Sequence, residues 1–278
     1  MSTAWNYYNH ALLPDIAPHE NVDPASVNDR MFSDHKCKEG VPLFALWTSD
    51  FDCNEKTDWW YIIKDSPFDI NSIKAKRRYV IKKGIKNFEV KVINTAGYVD
   101  ELYRVMVEAF KEYPKYSRPS IDFSYKDIIA HWPDKVFAGF DRITGEICGF
   151  ARMIEGERCI NFNVLMALPR EEKREINAAI VYAILNYYEK SLEDGKYILD
   201  GHRAMFHETA FQDYLEKYFG FRKVFCHLHL KYRFPFNILV KCIYPLRKFF
   251  WDINFRRLKP LSCILHYEHI KRMCEKCK

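Results

Sequence analysis

The sequence predicts an α+β protein: a mixed, mostly antiparallel central sheet flanked by helices, with an N-terminal extension and a basic C-terminal helical tail. Three observations carry that expectation. First, VFAGF (136–140), ICGFARMI (147–154) and CINFNVLM (159–166) are strand-like runs separated by Thr144-Gly145 and Glu155-Gly156, the turn signals of antiparallel hairpins. Second, apolar residues recur at helical spacing on both sides of that meander: Tyr98, Leu102, Val105, Met106, Ala109 and Phe110 before it, and Ile176, Ala179, Ile180, Ala183, Ile184 and Tyr187 after it. Third, charge is divided along the chain. From Arg222 onward 14 Lys and Arg stand against three acids, leaving 29 basic and 34 acidic residues before it, although the whole 278-residue chain is only +6.

Taken in order, the first 40 residues show neither helical nor strand periodicity and read as an irregular leader. PLFALW (42–47) and WWYII (59–63) have strand composition, with Asp50, Asp52 and Asp58 between them. A helix is expected from a polar cap at Asn71 or Ser72, stopping at Gly84, and FEVKVI (88–93) alternates as a strand. Pro114 closes the next helix, and a short one follows from Ser124 to Trp132. After the meander, one long helix is expected over 171–193 with Gly195 as its terminator, then the strand YILD (197–200). Thr209 and Gln212 form a capping box for AFQDYLEKYF, Gly220 ends that helix, and RKVFCHLHLKYR (222–233) reads as one final strand. Beyond Pro235, helical pieces broken by Pro245 and Pro260 are expected. The domain reading is therefore an extension (1–72), a core (73–233) and a tail (234–278).

Composition narrows the function classes. With 48% hydrophobic and 29% charged residues the chain is globular. It has no run of roughly 18 apolar residues to span a bilayer, and its start has neither a basic head nor an apolar run for a secretory signal. Nine cysteines, of which only Cys274 and Cys277 are closely spaced, favour reduced thiols and a cytoplasmic setting, with peripheral contact at the inner face of the membrane open to the basic tail. Cys274 and Cys277 supply two of the four ligands of a structural zinc and His266 and His269 could supply the others, but an isolated CxxC near a terminus lacks the context of such a site, so no metal is expected. The charge asymmetry points to an anionic partner: phospholipid, tRNA or a phosphorylated carrier.

Residues 88–233, written as strand, helix, helix, three antiparallel strands, long helix, strand, helix, strand, resemble the GNAT fold of N-acyltransferases, and FGFRKV (219–224) looks like the stretch after that fold's last helix. KAKRRYVIKKGIKNFEVKVI (74–93), with its Arg-aromatic-x-Ile-Lys pattern, Gly and strand, is similar to the start of the second GNAT-like domain of FemAB-type peptidyltransferases. Together with GHRAMFHETAFQDYLEKYFGFRK it resembles a FemAB-related acyltransferase, which implies acyl or aminoacyl transfer to an amine, without a covalent enzyme intermediate, in a cell-envelope or polysaccharide pathway. The resemblance also implies that backbone N–H groups around Asn163, Leu165 and Met166 hold the oxyanion and donor. The family's glycine-rich pyrophosphate loop is replaced here by Ala167-Leu168-Pro169-Arg170-Glu171-Glu172. Its two carboxylates suit a helix N-terminus but repel a pyrophosphate, with Arg170 and Lys173 as partial compensation. Acyl-CoA is thus one donor, and aminoacyl-tRNA or an acyl carrier protein are the others; nucleic acid is a partner only if tRNA is the donor.

Asp200, His202, Arg203, His207 and Glu208 cluster between a strand end and a helix, where α/β folds place ligand groups. His207 or Glu208 is the candidate base for the amine, and Arg203 the candidate for an anionic group, against a polar loop whose residues only cap their neighbours. Arg78 and Tyr79 sit in a helix carrying seven cations and no acid, which reads either as an anion site or as a solvated face. Asp52 and Trp60 are candidates to wall a sugar or peptide acceptor, against a WWY strand that is simply core. Residues 234–278 either lie in an anionic membrane interface or dock their apolar side on the domain. The reading is an N-acyltransferase acting on an amine-bearing sugar or peptide. Its alternatives are a non-catalytic GNAT-like protein that binds an anionic partner, and an RNA-binding module.

Overall fold

The computed structural model describes residues 3–34, 40–113, 121–203, 210–251 and 258–276. It forms two compact units, one of residues 1–61, 202–209 and 223–278 and the other of 62–201 and 210–222.

In the first unit, what reads as an irregular leader is a hairpin of β1 (Trp5–Tyr8) and β2 (Ala11–Pro14) followed by a short helix, α1 (Arg30–Asp34). Asn9 and His10 both take positive φ, +48° and +66°, so the hairpin turns without the glycine that would have announced it. β3 (Phe44–Ser49) runs parallel to β2 and antiparallel to β11 (His227–Tyr232), giving the order β1-β2-β3-β11. Alternation along the strands divides the core between two faces. Leu12 and Ala45 pack with Trp5, Met31 and Phe32. Ala11, Phe44, Leu46, Leu228 and Leu230 pack with Trp59, Ile270 and Cys274.

The expected 222–233 strand is divided: β10 (Arg222–Phe225) stops before Cys226, and β10 and β11 belong to different sheets. The tail consists of α8 (Phe236–Ile243), a 3₁₀ turn at Tyr244–Leu246, α9 (Arg247–Phe250) and α10 (Lys259–Lys276). Pro245 lies in that 3₁₀ turn, whereas Pro260 opens α10 rather than breaking a helix, because a first-turn residue needs no N–H partner.

The second unit holds the mixed, mostly antiparallel sheet that the sequence predicts. Its strands are β4 (Trp60–Lys64, entering the unit at Ile62), β5 (Phe88–Ile93), β6 (Lys135–Asp141), β7 (Ile147–Glu155), β8 (Cys159–Ala167) and β9 (Tyr197–His202, leaving it after Gly201). They lie in the order β4-β9-β8-β7-β6-β5, with β5 to β8 antiparallel and β9 parallel to β8. The flanking helices are α2 (Ala75–Asn87), α3 (Val99–Lys111), α4 (Tyr125–Ala130), α5 (Ile176–Tyr187), α6 (Glu189–Glu193) and α7 (Ala210–Phe219).

Two helix expectations are corrected. Gly84 does not stop α2, which runs on to Asn87. The glycine permits close approach instead, since a Cβ there would lie 2.5 Å from the Glu175 carbonyl oxygen and 3.0 Å from the Ala179 nitrogen. The long 171–193 helix is three pieces: a 3₁₀ turn over Pro169–Arg174, then α5, then α6. Glu175, at φ +69°, makes the first break, a left-handed residue that apolar periodicity alone does not register. Lys83 Nζ and Asn87 Nδ2 donate to the Lys173 and Arg174 carbonyls (2.5 and 3.0 Å), fastening α2 to that junction.

Candidate functional site

The second unit opens where its two parallel strands part. β8 and β9 pair only at Cys159–Tyr197, Ile160–Ile198 and Asn161–Leu199. Beyond those pairs the registry of β8 with β7 slips, with Arg152 opposite Val164 and Met153 opposite Phe162, so that Asn163 is the extra residue of a β-bulge. A bulge bends its strand and re-aims the residues around it. Between the parted strands lies a cleft of about 440 Å³. Phe162 to Ala167 form one wall, the end of α3 gives Glu112 and Tyr113, the 3₁₀ turn gives Pro169 and Glu172, and Asn177, Asp200 and Phe211 complete it.

Asp200 is the chemically distinctive group of that cleft. It stands on β9 just past the last paired residue, its carbonyl accepts from Gln212 Nε2 of α7 (3.3 Å), and no described residue donates to its carboxylate. Desolvation pushes its carboxyl up to about 7. Asn177 Oδ1 is buried and has no hydrogen-bond partner among the described residues. Phe211 meets Phe162 edge to face at 5.6 Å.

The turn that follows β8 is held from beneath. Arg174 Nη1 bonds both the Asp141 carboxylate and Glu171 Oε2 (2.7 Å), and Arg170 Nε donates to Glu171 Oε1 (3.1 Å). Asp141 and Glu171 are buried, and hydrogen bonds from the Ile143 and Thr144 amides together with Arg174 hold the Asp141 carboxyl below the usual range. Cys148 lies beside them, its thiol pushed up to about 11 by burial. Atoms of Asp141, Cys148 and Glu171 fall within 4.8 Å of one another, but a guanidinium already satisfies the two carboxylates where a cation would sit.

This turn does not fit the pyrophosphate of CoA. Pro169 at its start has no N–H, Glu172 faces the cleft, and Arg170 is turned to Glu146 (3.6 Å) and Glu171. Neither Arg170 nor Lys173 is among the residues lining the cleft.

Of the residues expected from the sequence, Asn163, Leu165, Met166 and Asp200 come together in the cleft. Arg78 is engaged elsewhere in the second unit, donating from Nη2 to the Asn71 and Ile73 carbonyls (2.9 and 3.1 Å), and Tyr79 is 68% exposed on the same helix; neither lines the cleft. His207 and Glu208 lie outside the described residues, as do Thr209 and Cys277.

The remaining expected residues belong to the first unit. There Arg203 stacks on Trp60 (4.5 Å) and donates to the Asp58 carbonyl (2.5 Å), while its own amide donates to the Trp60 carbonyl (2.8 Å). His202 stacks on Trp59 (5.0 Å), and Asp52 occupies a turn at φ +66°. Sequence reasoning placed Glu172 on the donor-side turn but missed Glu112, Tyr113, Asn177 and Phe211 as cleft residues. Only Asn177 carried a signal, being the single polar residue in the run Ile176–Val181.

An antiparallel meander followed by a parallel strand that splays from a bulged neighbour, with a cleft at the splay, is a GNAT-like fold. No family model matches the chain, and no curated protein matches it. Among solved structures it is similar to L-PGS from Bacillus licheniformis, at 12% identity over 89% of this chain and 87% of that one, with a TM-score of 0.49. It is also similar to a C-terminal domain from Agrobacterium fabrum assigned to a lysylphosphatidylglycerol synthetase, at 11% identity, 87% and 85% coverage and a TM-score of 0.49. A tandem GNAT protein from the clavulanic acid pathway matches at 7% identity over 80% of this chain and 75% of that one, with a TM-score of 0.43.

Proposed function

We propose that the protein is an N-acyltransferase of the FemAB-related kind that moves an acyl or aminoacyl group onto an amine of a cell-envelope or polysaccharide precursor, by direct attack in a ternary complex. One observation supports it above all: a desolvated carboxyl, Asp200, with its pKa near 7, beside the open edge of a bulged strand. A base poised near neutrality takes the proton of an attacking amine efficiently. Backbone N–H groups of Asn163 to Met166 along the open edge suit the oxyanion that forms as the amine adds. The C–N bond forms, the carbonyl carbon's bond to its leaving oxygen or sulfur breaks, and the proton taken by Asp200 passes to the leaving group.

In this reading Asp200 is the base; His207 and Glu208, the candidates from the sequence, lie outside the described residues. The glycine-free, acid-bearing turn favours aminoacyl-tRNA or an acyl carrier protein over acyl-CoA as donor. The same reading sets the protein at the inner face of the membrane, in contact with it through residues 234–278.

The test is transfer of labelled acyl groups from aminoacyl-tRNA, acyl carrier protein and acyl-CoA to a panel of amino-sugar and peptide acceptors. Amide product with the wild type and a ~10²–10⁴-fold loss in Asp200→Asn support the proposal. Equal rates in both would remove Asp200. No product from any donor, with the folded protein still retaining an anionic ligand, would favour the non-catalytic binding protein that the missing pyrophosphate turn also allows.

A further inference from the structure

In the first unit, the segment after β11 leaves its apolar side uncovered. Phe234, Ile238, Leu239, Leu246 and Phe249 are 74%, 50%, 49%, 51% and 79% exposed. Ile238, Cys242, Leu246 and Phe249 follow one another at four-, four- and three-residue steps, so α8, the 3₁₀ turn and α9 carry one continuous outer stripe. On the inner side Val240 and Tyr244, also four apart, are buried at 2% and 8%, so the segment is already docked by a different set of residues. The outer stripe is left over after folding. Isolated exposed apolar residues are ordinary, but a run of them along one element marks an interaction surface.

Charge identifies the occupant. Between Arg222 and Trp251 the chain has seven Lys and Arg and no acid. Lys241 and Lys248 are exposed beside the stripe, and neither has an acidic partner among the described residues. Arg247, half-buried, lies over the inner-side Tyr244 ring at 4.5 Å and is not part of that exposed edge. Apolar side chains flanked by cations without an acidic partner among the described residues match a bilayer surface, with acyl chains below and anionic headgroups above. No described helix is long and apolar enough to cross a membrane, so the fit is to the surface and not to a span.

We propose that α8 and α9 form a membrane-interface ridge, with Ile238, Leu239, Leu246 and Phe249 entering the headgroup and acyl boundary and Lys241 and Lys248 on anionic headgroups. The ridge deepens the membrane contact of the proposed function and rests on that part of it, not on the transfer chemistry.

The experiment is co-sedimentation of the full chain with sucrose-loaded vesicles, either pure phosphatidylcholine or phosphatidylcholine with phosphatidylglycerol. Binding to the anionic vesicles is expected, weakening as salt rises, with little binding to the neutral ones. Phe249→Ser combined with Leu239→Ser should lower the partition coefficient about tenfold or more, and Lys241→Glu with Lys248→Glu should do the same. All four side chains are exposed, so thermal melting should be unchanged. Ile143→Ser, which removes an 88% exposed apolar residue from the second unit, should bind as the wild type does. Failure of the wild type to sediment with anionic vesicles, undiminished binding by both double variants, or retention by tRNA with none by vesicles would each overturn the ridge. None of these outcomes bears on whether Asp200→Asn stops transfer.

Discussion

At the scale of single residues, Asp200 and Asp141 show local surroundings deciding opposite fates for a carboxylate. Asp200 loses water and gains no described donor, so its proton is held to about pH 7. Asp141 instead accepts from two amides and Arg174, and its proton is released below the ordinary range. The two shifts act on stability in opposite directions. The folded pKa of Asp200 lies above its unfolded value of 3.8, so folding binds a proton there, and its contribution to stability falls as pH rises from about 4 through about 7. Asp200→Asn should therefore melt higher than the wild type at pH 8 and close to it at pH 4, in paired thermal scans; a lower melting point at pH 8 would contradict the desolvated carboxyl. For Asp141 the stability is present above the unfolded pKa of 3.8 and is lost as acid protonates the folded carboxylate. Arg174→Met leaves Asp141 and Glu171 buried without their shared cation and should cost about 1–3 kcal/mol, read as a shift of the urea midpoint at constant slope. The identity of Asp200 as a candidate was legible from its place after a strand. Its desolvation was not, because the walls of the cleft come from α3, α5 and α7, far apart in the sequence.

At the scale of elements, the meander and both amphipathic helices were legible because period-two and period-3.6 patterns record which face is buried. Breaks that depend on one backbone angle were not. Glu175 and the Asn9-His10 turn take positive φ without glycine, and the bulge at Asn163 leaves no mark in the alternation of β8. Glycine in a helical pattern signals a stop, yet Gly84 lies inside α2 and its role concerns a second helix. Alanine in a helix interior is ordinarily better than glycine by up to about 1 kcal/mol. Here the added methyl would press on backbone atoms at 2.5 and 3.0 Å, which cannot rotate aside. Overpacking of that kind costs about 1–3 kcal/mol, so Gly84→Ala should be destabilising on balance in a denaturant titration. A stabilised variant would show that α2 and α5 separate more readily than their spacing implies.

At the scale of the whole molecule, the uneven charge marks the part of the first unit that remains uncovered, while the cleft of the second unit carries Glu172 on a glycine-free turn that opens on Pro169. A ligand at a hundred times its Kd stabilises the folded state by about 2.7 kcal/mol, roughly 5 °C or more for a unit of this size. CoA and acetyl-CoA should produce no such shift, and a saturable one would restore acyl-CoA as donor. The proposed transfer rests most heavily on the ionisation of one carboxyl. The direct measurement is the titration of the Asp200 side chain by carbon-detected NMR on protein labelled at aspartate, with Asp200→Asn supplying the assignment. A midpoint near 7 is expected, against 3.8 for an ordinary aspartate; a midpoint near 4 would leave the cleft without its base and contradict the proposed chemistry.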